Sequence, residues 1–299
     1  MRRRTRTARR APLALLPLAG ACIVTQVRYV PVSSGYAYTA GGQGGRGARG
    51  APCAADSWAR SDRAVACDVR TFVLVPGRGP VDLESGNGSV AVEGTDTAHA
   101  ANVAARVRAW APTDDDARRL LAAIRVTADG NTLRSDGPRD RSFDDRGWAV
   151  DYLVTAPRRL DVAARTGNGS VRVQDVVGRL RLSSGNGAVV VERVGGDVEG
   201  RTGNGSVQAT LAGRAWDGGG LPGAGLDLRS GNGSALLRVP EGYSARLDVS
   251  TGNGGLSVDF PVTLQGRIDP RRLALTLGDG GAPLRVSTGN GRVRVARPE

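Results

Sequence analysis

Carboxylates, a single histidine and three cysteines are the side chains with which this chain could do acid–base, nucleophilic or metal chemistry. Polysaccharide cleavage needs clustered carboxylates, or a base with an arginine, on one face. The acidic candidates are Asp114-Asp115-Asp116 and Asp144-Asp145 beside Arg146. The first run follows Thr113 and opens an apolar stretch, which suits the first turn of a helix, where acids complement the dipole. The second reads as a loop. His99, in Thr97-Ala98-His99-Ala100, reads as a loop histidine, and no Gly-x-Ser-x-Gly elbow accompanies it. Two cysteines and a distant histidine do not form a ligand set. The sequence therefore predicts no enzyme, no cofactor and no metal.

The cysteines point to an address instead. Arg2, Arg3, Arg4, Arg6, Arg9 and Arg10 precede an apolar run, 11–21, that ends in Ala19-Gly20-Ala21. This is the order of a secretory signal over 1–21, and the run is too short and too broken by proline to span a bilayer. Cys22 follows directly, so two readings stay open: acylation as a lipoprotein anchoring the chain to a membrane, or plain cleavage that leaves an incidental cysteine. Residues 22–66 read as a flexible tether, with Gly41-Gly42-Gln43-Gly44-Gly45 in it. Outside the cytosol a Cys53–Cys67 disulfide is the expected pairing.

The net charge of +12 combines 41 basic with 29 acidic residues, and no lysine occurs. Without the six leader arginines the excess is 35 to 29, interspersed with acids, while aromatics make up only 4%. No stacking platform accompanies the arginines, so nucleic acid is not an expected partner.

What positions these residues is a repeat. Ser/Thr-Gly-Asn-Gly occurs seven times, with asparagines at Asn87, Asn168, Asn186, Asn204, Asn232, Asn253 and Asn290. Apolar residues stand two and four places after each last glycine, as in Val171 and Val173, and two and four before each Ser/Thr, with Gly200 the one exception. Polar residues fill the places between, which is the period of a strand with one buried face. Gly-Asn-Gly is a turn, because glycine and asparagine tolerate positive φ. Four copies are also formal glycosylation sequons, better read as turns, and the asparagines lack the paired carboxylates that calcium requires.

Two architectures fit. The turn could close antiparallel β-hairpins, or form the corner of a β-solenoid in which equivalent Asn and Ser/Thr side chains stack in ladders. Spacings of 18 between 168, 186 and 204, and of 21 between 232 and 253, favour the solenoid at one coil per motif. The longer gaps, such as Trp216-Asp217-Gly218-Gly219-Gly220-Leu221-Pro222, then read as loops. Within an insertion at about 95–160, the sequence predicts one helix near 114–124, flanked by strands near 102–110 and 124–134, with a turn at Asp129-Gly130.

The leader, the repeated Ser/Thr-Gly-Asn-Gly-x-Val strands and the insertion ending in Asp129-Gly130-Asn131-Thr132-Leu133 resemble the bacterial adhesin-like β-strand-repeat family, whose domain has no known function. The resemblance covers about residues 67–297. It implies a β-helix-like domain over 67–299, envelope association and a surface role, with no catalytic residues to carry over. The partners expected are a cell-wall or surface glycan, or an envelope protein. An envelope-stress sensing or regulatory scaffold is the alternative. Arg172, Arg181, Arg292 and Arg294 would form a basic stripe facing acidic wall polymers, unless they are ordinary solvated strand positions.

Overall fold

The computed structural model describes residues 63–75, 77, 79–138, 145–261 and 269–298, all within the unit Ser33–Glu299. The leader over 1–21, Cys22, Cys53 and Asp144 lie outside the described residues. Strand β1 (Ala64–Leu74) precedes a first motif-bearing pair, β2 (Val81–Asn87) and β3 (Val90–Thr95). The insertion holds β4 (Ala101–Ala111), α1 (Asp114–Ala123), β5 (Arg125–Asp129), β6 (Thr132–Asp136) and β7 (Gly147–Pro157). Motif-bearing pairs then recur: β8 (Val162–Asn168) with β9 (Val171–Gln174), β10 (Val177–Asn186) with β11 (Val189–Glu192), and β12 (Gly195–Asn204) with β13 (Val207–Thr210). They continue as β14 (Gly225–Asn232) with β15 (Ala235–Arg238), and β16 (Ala245–Asn253) with β17 (Leu256–Val258). After β18 (Arg272–Leu277) the last pair is β19 (Pro283–Asn290) and β20 (Val293–Ala296).

The described residues form an all-β fold with one helix, in two ten-stranded sheets. The first runs β1-β4-β7-β3-β9-β11-β13-β15-β20-β17, and the second β18-β16-β19-β14-β12-β10-β8-β2-β6-β5. The two strands that flank a Gly-Asn-Gly therefore lie in opposite sheets and do not pair with each other, so the hairpin alternative fails at every motif. Each strand pairs in parallel with its equivalents instead, Val171 with Val189 and Val189 with Val207, Leu180 with Val162 and with Val198. Among the described strands, the antiparallel pairs are β1/β4, β4/β7, β5/β6 and β16/β18. These sit at the two ends of the stack, where a repeat array needs a cap.

Stacking order departs from sequence order once. The spacing between 232 and 253 suggests that these two coils, each a pair of strands with its corner, are neighbours, but the pair β19 and β20 lies between them. Asn232 pairs with Asn290, and Asn253 pairs with the other side of Asn290. All three coils carry the same corner and the same inward pattern, so nothing in the repeat itself prescribes their order. Between β17 and β19 in sequence stands β18, which pairs antiparallel with β16. The gap before 290 thus holds a strand as well as loops.

The core lies between the sheets and is built of the alternating residues. Val81, Leu83, Val90, Val171, Leu180, Val189, Leu228, Leu237, Leu284 and Val293 are all fully or nearly fully buried, whereas Leu256 and Val258 in the outermost coil are half-buried. Gly200 breaks the apolar rule for a packing reason: a Cβ there would stand 2.5 Å from Cδ2 of Leu228, which fills the space. Trp216, in an expected surface loop, turns inward and donates from Nε1 to the Gly196 carbonyl at 2.9 Å. The helix begins at the expected cap, Thr113, whose hydroxyl accepts from the Asp116 amide at 3.2 Å, and it packs on β4 and β1. Strands β1 and β7 bear no motif, and β1 starts at Ala64, inside the segment read as tether.

Candidate binding surface

Each corner is built from the four motif residues. The first is buried, and its hydroxyl donates to the carbonyl of the last motif glycine in the neighbouring coil: Thr166 to Gly88 at 2.7 Å, Ser184 to Gly169 at 2.8 Å and Thr202 to Gly187 at 2.7 Å. Ser230, Thr288 and Thr251 repeat this to Gly205, Gly233 and Gly291. Ser85, at the start of the series, donates to Val150 of β7 at 2.9 Å.

At every motif but the first, where Gly86 has open space, the second residue must be glycine because neighbouring corners touch there. A Cβ on Gly167 would lie 2.6 Å from the Gly86 oxygen. The third is exposed, and each Asn Nδ2 donates to the Oδ1 of the coil before it in the stack. The series runs from Asn168 on Asn87 at 2.7 Å through Asn186, Asn204, Asn232 and Asn290 to Asn253, with bonds of 2.7–3.0 Å. The fourth takes a φ open to glycine, +148° at Gly169, with the Gly88 oxygen 2.2 Å from where a Cβ would stand.

The outward faces of the two sheets differ. Across the second sheet one row reads Asp82, Ala163, Arg181, Glu199, Asp227, Arg285 and Asp248. All of its charges but Arg285 are paired laterally among the described residues: Arg165 with Asp82 at 3.2 Å, Arg181 with Asp197 at 2.7 Å, Arg201 with Glu199, Arg229 with Asp227 at 2.5 Å, and Arg272 with Asp248 at 2.8 Å. The corresponding row of the first sheet reads Leu153, Ala91, Arg172, Val190, Gln208, Leu236, Arg294 and Ser257, which is far less charged.

The four-arginine stripe does not form. Arg172 and Arg294 lie on the first sheet four strands apart, Arg181 lies on the second, and Arg292 stands at the corner before β20. Arg172 pairs with Glu192 at 2.6 Å, and Arg294 pairs with Asp259. Consecutive coils place their outward residues on both sheets in turn, so residues that alternate in sequence need not share a face.

The other candidates have structural partners. Asp115 and Asp116 lie in the first turn of α1 and pair with Arg118 at 3.2 Å and Arg146 at 3.4 Å. Asp145 faces Arg63 at 3.7 Å, and His99 is exposed in the loop between β3 and β4. Cys67 is disulfide-bonded.

Sequence reasoning missed Asp151, the one buried carboxylate among the described residues. It accepts from the Ser89 amide at 2.9 Å, from Arg106 Nη2 at 3.1 Å and from Arg108 Nη2 at 2.7 Å. With both oxygens engaged it locks β7 to the first corner and leaves no free base. No group of three or more His, Cys, Asp or Glu able to hold a metal ion occurs among the described residues, and none of their helices is long and apolar enough to cross a membrane.

No protein-family model and no curated protein matches the chain. Among solved structures, a putative cell adhesion protein from Clostridium sporogenes is similar over 78% of this chain and 100% of its own, with 10% identity and a TM-score of 0.43. A putative adhesin from Bacteroides fragilis is similar over 77% of this chain and 97% of its own, with 12% identity and a TM-score of 0.38. A putative lipid binding protein from Parabacteroides distasonis is similar over 77% and 96%, with 9% identity and a TM-score of 0.30.

Proposed function

We propose that this is a non-catalytic, exported and envelope-associated adhesin-like protein whose β-solenoid presents one sheet face to a cell-wall or surface glycan. The observation that carries this reading is the contrast between the two outward faces. The second sheet's row is almost wholly charged and largely paired within its own face, whereas the first sheet's row is mainly apolar, amide and hydroxyl groups, with its two arginines, Arg172 and Arg294, paired to Glu192 and Asp259. The parallel in-register coils and their hydroxyl and amide ladders support the solenoid, and give the seven asparagines the role of holding the corners together. Export rests on the leader over 1–21, with Cys22 as the proposed acylation site. Cys53 is the proposed partner of Cys67, closing the end of the 22–66 tether.

The test incubates the purified protein with cell-wall sacculi and a polysaccharide panel, measuring protein retained on the solid and sugar released into solution. Retention without release is expected. Fragment release would overturn the non-catalytic reading, and absence of retention on every glycan would overturn the glycan partner.

A further inference from the structure

The outward face of the first sheet ends in a shallow cleft of about 220 Å³ lined by Leu236, Arg238, Asp259, Arg294, Ala296 and Arg297. Strands β15 and β20 bring these residues together, with Leu236 beside Arg294 and Arg238 beside Ala296. Three guanidiniums thus share the cleft with one carboxylate. That carboxylate is taken, since Arg294 Nε donates to Asp259 Oδ2 at 2.6 Å. Arg297 is fixed from two sides: its Cζ lies 4.2 Å from the centroid of the Phe260 ring, and its Nη1 donates to the Pro240 carbonyl at 2.8 Å. Arg238 is half-buried between its neighbours and has no ion pair or side-chain hydrogen bond among the described residues. A guanidinium carries five donors in a planar fork matched to a carboxylate, and this one has no acceptor among the described residues.

From this geometry we infer a binding site for the carboxylate of an acidic sugar, a uronate residue within a polysaccharide, with Arg238 as its bidentate partner. Arg294 and Arg297 supply further positive charge, and Leu236 and Ala296 supply an apolar floor for the pyranose ring. The volume is below the roughly 300–1,000 Å³ of pockets that enclose a drug-sized ligand. One ring of a polymer lying across the open face fits it, and a buried small molecule does not. This inference rests on the glycan-binding reading and narrows it to a substrate class and a site.

The experiment measures affinity of the full chain for polygalacturonate, for neutral galactan and for polyphosphate. It compares the wild type with Arg238→Gln, Arg238→Glu and, as a control on the outward face of the second sheet, Arg285→Gln. Polygalacturonate should bind in preference to the other two, with affinity about tenfold lower in Arg238→Gln, abolished in Arg238→Glu and unchanged in Arg285→Gln. Equal binding by the Arg238 variants, equal loss in Arg285→Gln, or preference for polyphosphate would overturn the site. If the wild type ignores polygalacturonate but is retained by another glycan of the panel, the uronate site falls while the glycan-binding reading stands. Retention by no glycan removes both.

Discussion

Tyr152 and Asp175 show how single side chains set the limits of the fold. Tyr152 is fully buried on β7, and its hydroxyl donates to the Glu84 carbonyl at 3.1 Å. Burial, which disfavours the phenolate, pushes its pKa from 10.0 to about 12. The folded state therefore holds this proton more tightly than the unfolded state. Stability from this source is complete below pH 10 and drains away as pH rises from there through about 12. Tyr152→Phe should lose about 1 kcal/mol at neutral pH with the hydrogen bond, and should flatten the alkaline limb of a stability–pH curve measured by denaturant titration.

Asp175 and Arg193 both take positive φ, 56° and 51°, at equivalent corners of adjacent coils, and they join in a two-pronged pair of 2.9 and 2.6 Å. The Arg193 hydrogen bond, outweighing desolvation, holds the Asp175 carboxyl below its ordinary 3.8. Its contribution is full above that ordinary value and is lost as pH falls through the lower folded value. Asp175→Asn keeps a residue that tolerates the left-handed region. The variant should be less stable than the wild type at pH 7, with the gap closing below pH 3.8. A gap that is constant with pH would refute the pair's role.

At the scale of the coil, the motif divides its labour between a buried hydroxyl ladder, an exposed amide ladder and two glycines at close approach. A Cβ on Gly185 would stand 2.6 Å from the Gly167 oxygen, so Gly185→Ala has to push two coils apart. Its cost should be about 2–3 kcal/mol, typical of overpacking. Asn204→Ala removes only exposed amide bonds and should cost about 1 kcal/mol. Chemical unfolding of the two variants checks the ranking, and the reverse order would place the weight of the corner on the asparagines. The strands and their buried faces were readable from sequence because Val, Leu, Ser and Thr recur inward with period two around a repeated turn. Strands β1 and β7 were not, since they pair antiparallel with β4 and bear no motif. The uronate cleft was hidden as well: Arg238 ends β15, whereas Arg294 lies in β20 and Arg297 just beyond it, and the three meet only because β20 pairs with β15.

At the scale of the whole described stack, the order of coils was the least legible feature, because identical corners make the coils interchangeable in register. The coil of β16 and β17 has β19 and β20 as its neighbour, so it can reach its final place only once 283–296 have docked on β14 and β15. Pulse-labelled hydrogen exchange during refolding should show Leu284, Val286, Val293 and Val295 protected no later than Leu247 and Val249. Earlier stable protection of Leu247 and Val249 would mean that β16 gains a ladder before β19 docks, from β18 or by first stacking in sequence order.

The same placement changes how the molecule bears load. In a simple array the last coil is a free end that peels off one bond at a time. Here β19 is flanked by β14 and β16, and β20 by β15 and β17. A force applied at the C-terminus must shear hydrogen-bond ladders on both sides of that coil together before any of it yields.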